Sequence, residues 1–526
     1  MPITASILET AASHPDRPAI VGGDDRLTYA ELVADSRAVF AAVDALHRAQ
    51  SAPPTPAPEA AGVPITAVSH TSAFLTARIV AGLAGFRAVS ATIDPRWPLS
   101  HQVGIIRATG IGVVISDSPA LAEALAASAW TGTVISATAF EAAVAAHRSD
   151  PDLTAPRVRA PAEPFLMLFS SGTTSNPKAF IKTREQYRAN VAVSAAHLEP
   201  LPGVATLAPG PVSYSLTLYA VIESLATGGS VHVADEFDPA AMGRRIAEEN
   251  VTRIVAVPAI VRALAEAADR DPERFAGLDL VVTGGANLPA VIRDRLGAVL
   301  PDTRLISYYG AAEIGFIGDS RAGDGTWITI YPTIGAQIRD DSGSPVPDGE
   351  LGTLWILAAA CSEGYVTGTS TEVLRGPDGW ATVHDQGRMA GGLLQLAGRA
   401  GDIAVTGGHK VSLPEVERAY GTVPHLGEVV AIALPDANLG TVVALVIEDG
   451  GDRPTPTQEP ESEPESESMA GLPDKAALLA HGRTQLAPQF VPRRFYVLDQ
   501  LPRTVGGKIR RAETVDLIVN EQGRRL

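Results

Sequence analysis

A single cysteine, Cys361, stands among the 526 residues of this chain. That scarcity excludes intrachain disulfides and multi-thiolate metal sites. No Cys/His signature surrounds Cys361, so it reads as a small buried thiol and not as a nucleophile. Positive charge is also short: 42 Lys and Arg face 59 Asp and Glu, a formal net charge of -17. Nucleic-acid-binding domains carry a basic face, so a nucleic-acid partner is not expected. A local basic pocket for a nucleotide is compatible with that balance. Long apolar runs are missing too. The longest apolar-leaning stretch, Ala73 to Ile93, carries Arg78 and Arg87, and the start Met1-Pro-Ile-Thr-Ala-Ser6 has no basic segment leading into an apolar core. Neither a membrane span nor a signal peptide is supported, and a cytoplasmic protein is expected.

The chain is longer than one core usually serves, so two or more domains are expected, and a hydrophobic content of 45% suits packed globular units. Strand-like runs such as Gly112–Ser116, Arg253–Val257 and Leu280–Thr283 alternate with helical stretches such as Ala259–Ala268 and Pro289–Leu300. Apolar strands without polar alternation, interleaved with helices, imply sheets covered on both faces, hence an α/β fold. Residues 349–357 read as a turn into a strand, and the Pro- and Ala-rich Ser51–Ala61 as a surface loop. Between the strand-like Val442–Ile447 and the helix-like Ala476–Leu479 lies Gly451–Ser468, where five glutamates are spaced by Pro and Ser. Such a stretch has little apolar surface to bury, so it reads as a disordered acidic insertion.

The chemistry begins at Phe169-Ser-Ser-Gly-Thr-Thr-Ser-Asn-Pro-Lys178, which leaves an apolar strand and closes on a lysine. Gly172 lets the backbone approach a ligand, Ser170, Ser171, Thr173 and Thr174 offer hydroxyls and N–H groups to phosphate oxygens, and Lys178 adds a point charge. It is not a Walker loop, because Pro177 stands where that motif needs glycine and Ala179 where it needs Ser or Thr. Further on come Tyr308-Tyr-Gly-Ala-Ala-Glu313, Gly379-Trp-Ala-Thr-Val-His-Asp385, Gly398-Arg-Ala-Gly-Asp402 with Gly407-Gly-His-Lys-Val-Ser-Leu-Pro-Glu-Val-Glu417, and Leu501-Pro-Arg-Thr-Val-Gly-Gly-Lys-Ile-Arg510. In this order the blocks resemble those of the adenylate-forming superfamily, which contains acyl-CoA synthetases, luciferases and the adenylation domains of peptide synthetases. Leu27-Thr-Tyr-Ala-Glu-Leu32 and Asp94-Pro-Arg-Trp-Pro98 extend the resemblance over nearly the whole chain.

The resemblance implies a large N-terminal domain, residues 1–399, of stacked α/β sheets with a β-rich subdomain, and a small mobile α+β domain, residues 400–526. It implies ATP-dependent conversion of a carboxylic acid to acyl-AMP, then transfer to a pantetheine thiol. Glu313 would hold Mg²⁺; Tyr309 would stack on adenine; Gly284, Gly285 and Ala286 would pass the purine edge; Gly310 completes the Tyr-Gly turn. Asp385 would accept from the ribose hydroxyls, Arg399 would contact the ribose, and Lys508 would bridge the substrate carboxylate and the α-phosphate. A hinge at Gly401 or its neighbour Asp402 would exchange the Lys508 loop for the Gly407-Gly408 face, where coenzyme A or a carrier-protein phosphopantetheine would enter. Departures are Ala312, where the family has Thr or Ser, and Gly401 if it, and not Asp402, is the hinge position, where the family has Asp or Lys. In the segment Pro211–Leu218, Val212, Ser213 and Tyr214 stand where amino-acid activators place an aspartate, and Gly284, Gly315 and Phe316 would shape a roomy apolar pocket. A neutral aliphatic, alicyclic or aryl acid is expected as substrate, in a monomer or homodimer. Two alternatives stay open: a stand-alone adenylation enzyme loading an acyl carrier protein, and a non-catalytic nucleotide-binding scaffold.

Overall fold

The computed structural model describes residues 3–170, 177–285, 288–321, 327–406, 409–424, 426–436, 439–449, 472–504 and 508–526. Ser171, Gly172, Thr173, Thr174, Ala286, Gly407, Gly408 and the acidic stretch 451–468 therefore lie outside the described residues. The chain divides into two compact units. The first comprises Met1–Gln337, Trp355–Val383 and Gly392–Leu394; the second comprises Ile338–Leu354, His384–Gly391 and Gln395–Leu526. Parts of the chain before residue 400 thus group with its C-terminal segment.

Two sheets organise the first unit. In one, the strands run in the order Trp327–Ile330, Gly315–Ser320, Arg304–Ala311, Leu280–Thr283, Arg253–Ala256, Ala205–Ala208, Ser230–Val233, Pro18–Val21 and Arg26–Thr28. The middle of this series is parallel and its two ends antiparallel. The other sheet orders Thr133–Ile135, Val113–Ile115, Ile65–Val68, Val89–Thr92, Pro164–Phe169 and Ala179–Thr183, parallel except for the last pair. Parallel strands need crossovers, and helices supply them and cover the faces, which is why Ile65–Val68 and Val89–Thr92 are buried throughout. The apolar stretch Ala73–Ile93 is accordingly the buried helix Ala73–Leu83 and the strand Val89–Thr92. Its Arg78 is neutralised inside by Asp35, at 2.6 Å and 2.9 Å, and by Glu141. No helix among the described residues is long and apolar enough to cross a membrane.

The Ser51–Ala61 stretch is largely exposed, as a surface loop should be, but it is pinned at its end. Ala57 and Ala60 are buried, Pro58–Ala60 forms a 3-10 turn, and a Cβ added at Gly110 would lie 1.9 Å from the Thr55 carbonyl oxygen. Only these two alanines pack inward; Ala52 and Ala61 are exposed, so the small side chains serve both the outer surface and the contact with the helix end. Cys361 is buried, as its surroundings in sequence suggested.

The second unit is built on a sheet ordered His409–Ser412, Ile403–Thr406, Gly440–Glu448, Arg494–Leu498 and Arg524–Arg525, with Val429–Asp436 also paired to Gly440–Glu448. Helices Leu413–Tyr420, Lys475–Gln485 and Arg511–Val519 accompany it. Ser412 caps the first of these helices through the Glu415 N–H, and Pro414 enters within its first turn, where the missing N–H costs nothing.

Candidate active site

In the first unit the phosphate-type loop is anchored at both ends. Strand Pro164–Phe169 pairs antiparallel with Ala179–Thr183, setting Phe169 opposite Ala179. Ser170 N–H donates to the Lys178 carbonyl at 2.8 Å, and Lys178 N–H donates to Ser170 Oγ at 3.4 Å. The Lys178 ammonium pairs with Glu372 at 2.5 Å and lies 5.3 Å from the centre of the Tyr365 ring. Trp97, from the Asp94–Pro98 segment, meets Phe169 edge to face at 5.6 Å.

Strands Arg304–Ala311 and Gly315–Ser320 form a hairpin whose register shifts between Tyr309 and Gly310. Its turn carries Glu313, which is 7% exposed. The Tyr365 hydroxyl donates to Glu313 Oε1 at 3.3 Å, Ser362 N–H donates to the Glu313 carbonyl at 2.9 Å, and the Tyr219 hydroxyl donates to the Ala312 carbonyl at 3.1 Å. Gly315 closes the turn at φ +110°, and a Cβ there would lie 2.4 Å from Asn190 Oδ1. That same oxygen accepts from Phe316 N–H at 3.1 Å. Asn190 is positioned by helix Arg184–His197, whose start is fixed by a reciprocal cap between Thr183 and Gln186.

Phe316 is buried, with Tyr308 edge to face at 4.9 Å and Tyr219 tilted at 5.5 Å. Gly284 and Gly285 follow strand Leu280–Thr283; a Cβ at Gly284 would lie 2.4 Å from the Tyr308 ring, so glycine is what lets that ring lie against the strand end. Tyr309 is half-buried, as are Ser213 and Tyr214. Tyr214 N–H donates to the Pro211 carbonyl at 3.0 Å, a turn that leads into helix Ser215–Thr227. The one acid in that helix, Glu223, is committed to the equally buried Arg253 at 2.7 Å.

In the second unit Asp385 opens strand Asp385–Ala390, preceded by His384 at φ +62°. A left-handed residue other than glycine is uncommon and is found disproportionately at functional positions. Arg399 Nε donates to Asp385 Oδ1 at 3.3 Å, and Arg399 N–H donates to Asp402 Oδ2 at 3.1 Å. Arg511 extends the series, pairing with Asp402 at 3.0 Å and Glu417 at 2.6 Å. Lys508 N–H donates to Thr504 Oγ1 at 3.1 Å, and its carbonyl accepts from Thr504 N–H at 2.7 Å. The Lys508 side chain keeps exposed surface. Desolvation by the protein around it lowers its ammonium pKa, with Arg399 and Arg511 acting the same way and Asp402 and Asp385 opposing them. Gly401 lies within this unit, in the 3-10 turn Ala400–Asp402, and a Cβ there would meet nothing within 4 Å.

Each unit thus gathers its own set. Lys178 and Glu313 both meet Tyr365 in the first, with Ser170 tied to the Lys178 backbone, while Asp385, Arg399 and Lys508 share one cluster of charges in the second. The profile of the AMP-binding enzyme family matches residues 7–366, and that of the AMP-binding enzyme C-terminal domain matches residues 415–508. The chain belongs to the AMP-binding enzymes. It is an AMP-forming acid–thiol ligase, as are the acyl-CoA ligases it is similar to. A salicylyl-CoA synthase / salicylate adenylyltransferase of Streptomyces sp is 28% identical, over 98% of this chain and 94% of that one. The uncharacterized acyl-CoA ligase YhfT of Bacillus subtilis (strain 168) is 26% identical over 67% of this chain and 68% of its own length. In fold, the chain resembles the ATP-bound MatB from Rhodopseudomonas palustris, with TM-score 0.82 and 20% identity over 98% and 99% of the two chains. Tyr365, Glu372, Asn190 and Lys182 are the neighbours of this AMP-binding enzyme's candidate site that motif reading missed. Lys182 had a signal, a lysine inside the apolar strand Ala179–Thr183.

Proposed function

We propose that this enzyme activates a neutral carboxylic acid, aryl or aliphatic, and passes the acyl group to coenzyme A. The observation that carries the substrate class is the fate of acids around residues 211–227. The segment Pro211–Leu218 offers no carboxylate, and Glu223 is consumed by Arg253. An α-ammonium buried there would go uncompensated, at several kcal/mol in a low-dielectric pocket. The salicylyl-CoA synthase similarity supports an aryl acid in particular.

In the first step the substrate carboxylate attacks the α-phosphorus of ATP and pyrophosphate leaves; in the second the thiol sulfur attacks the acyl carbon and AMP leaves. Both partners of the first step are anions, so positioned cations lower its barrier. Lys508 would bridge the carboxylate and the α-phosphate, Lys178 and the Ser170–Thr174 loop would hold the outer phosphates, Asp385 and Arg399 the ribose, and Tyr309 with Gly284–Ala286 the adenine. Gly407 and Gly408 would line the thiol's approach.

Among the described residues no group of three His, Cys, Asp or Glu could hold a metal ion. A single buried carboxylate, Glu313, fits Mg²⁺, which binds through one or two carboxylates plus phosphate oxygens and water. Bound there, the ion would neutralise phosphate charge, and the role of Glu313 would be to fix its place.

Carboxylate-dependent exchange of labelled pyrophosphate into ATP, run over a panel of acids, tests this reading. Exchange with benzoate-like or short alkyl acids and little with their α-amino counterparts is expected. Preference for an amino acid would overturn the substrate class, and no exchange with any acid would favour a scaffold. Coenzyme A and a phosphopantetheinylated carrier protein, offered side by side, decide the acceptor.

A further inference from the structure

Strand Ala179–Thr183 contributes a lysine, Lys182, that is 0% exposed. Lysine is almost never fully buried without compensation, because its ammonium loses its hydration there. Its one hydrogen bond among the described residues runs from Nζ to the Ala360 carbonyl at 2.7 Å. The next residues of that segment lead to Glu313. Ser362 Oγ donates to the Ile181 carbonyl at 2.8 Å, Ser362 N–H donates to the Glu313 carbonyl at 2.9 Å, and Tyr365 reaches Glu313 Oε1 at 3.3 Å. Phe180 and Tyr365 form a bridge between the two backbones. A buried cation and a buried carboxylate therefore flank one short segment, residues 360–365. Burial draws the Lys182 ammonium down to about 8, while Cys361 and Glu313 pull it up.

We propose that Lys182 is a positioning residue for Glu313: a buried counter-charge that holds the carboxylate at its turn through the 360–365 segment and weakens its attraction for a divalent cation. Only the second half rests on the reading of Glu313 as the cation-binding carboxylate. The coupling of the two buried charges does not need it. Nothing in the motif blocks calls for a lysine at this place, since Lys182 lies beyond the loop's closing Lys178.

Two measurements test the halves separately. The first is ligand-free denaturant unfolding of the wild type, Lys182→Met, Glu313→Gln and the double variant. Removing Glu313 alone leaves an uncompensated buried ammonium, whereas methionine fills the same space without charge. The double variant should therefore be more stable than Glu313→Gln; strictly additive losses would overturn the coupling. The second is the Mg²⁺ dependence of the thermal shift produced by saturating ATP. Lys182→Met should reach half-effect at a Mg²⁺ concentration about threefold or more below wild type, the direction Coulomb's law gives for losing a nearby positive charge. An unchanged or raised midpoint overturns this half. Lys182→Arg retains the charge and should keep the wild-type midpoint even where Lys182→Met folds poorly; an arginine variant with a lowered midpoint would equally defeat it. A wild type with no Mg²⁺-dependent shift would refute the cation reading of Glu313, leaving the unfolding cycle to judge the coupling.

Discussion

Lys508 has its N–H and carbonyl both tied to Thr504, so its backbone is fixed while its side chain keeps exposed surface. Desolvation, with Arg399 and Arg511, lowers its ammonium pKa, and Asp402 and Asp385 oppose that shift. If Lys508 acts only in adenylation, Lys508→Ala should slow acyl-AMP formation by about a hundredfold or more, the scale of losing one electrostatic stabiliser. Thioester formation from chemically supplied acyl-AMP should be largely spared. Single-turnover measurement of each half-reaction decides the matter, and equal loss in both would defeat the assignment. At this scale the candidates could be picked out from sequence, because Lys508, Glu313, Asp385 and Lys178 each stand in a short motif. Their partners could not. Glu372 beside Lys178 and Asn190 beside Phe316 come from remote chain positions, the latter 126 residues apart, and only folding reveals such pairs.

The hairpin from Arg304 to Ser320 shows how an element presents a residue. Its turn is held by the Tyr219 hydroxyl on Ala312 and by Ser362 on Glu313, and Gly315 ends it in a conformation that side chains disfavour. Gly315→Ala would strain φ and drive a Cβ into Asn190, breaking the hydrogen bond to Phe316 N–H. A loss of roughly 2–4 kcal/mol is expected from backbone strain and one buried hydrogen bond. Urea unfolding measures it; a stability within about 0.5 kcal/mol of wild type, the range of neutral surface substitutions, would show that the turn adapts. Strand and helix placement was readable from apolar runs: Leu280–Thr283 is a buried strand as expected, and Ala259–Ala268 lies inside helix Pro258–Arg270. Which small residues pack was not: in Ser51–Ala61, Ala57 and Ala60 are buried while Ala52 and Ala61 are exposed, and the sequence does not tell them apart.

For the whole molecule, a net charge of -17 sets a field that repels ATP and carboxylate substrates alike. Attraction must therefore come from cations placed at short range, and both compact units supply some: Lys178 in the first, Lys508, Arg399 and Arg511 in the second. A two-step ligase in which the Lys508 loop serves one step and the Gly407-Gly408 face the other needs a pivot, for which Gly401 is the proposed residue. Nothing within 4 Å would obstruct a Cβ at Gly401, so glycine is not required there by packing in this conformation. Gly401→Ala should accordingly leave stability nearly unchanged. Proline goes further, fixing φ near roughly −65° and removing one backbone conformation from the exchange. Set against a pivot is the bracket formed by Arg399 N–H on Asp402 Oδ2, which ties the residues on either side of Gly401 together. If Gly401 is the pivot, Gly401→Pro should separate the two half-reactions, retaining one near the wild-type rate and losing most of the other. If the bracket moves as one piece, both rates will stay at wild type and the pivot lies elsewhere in the chain.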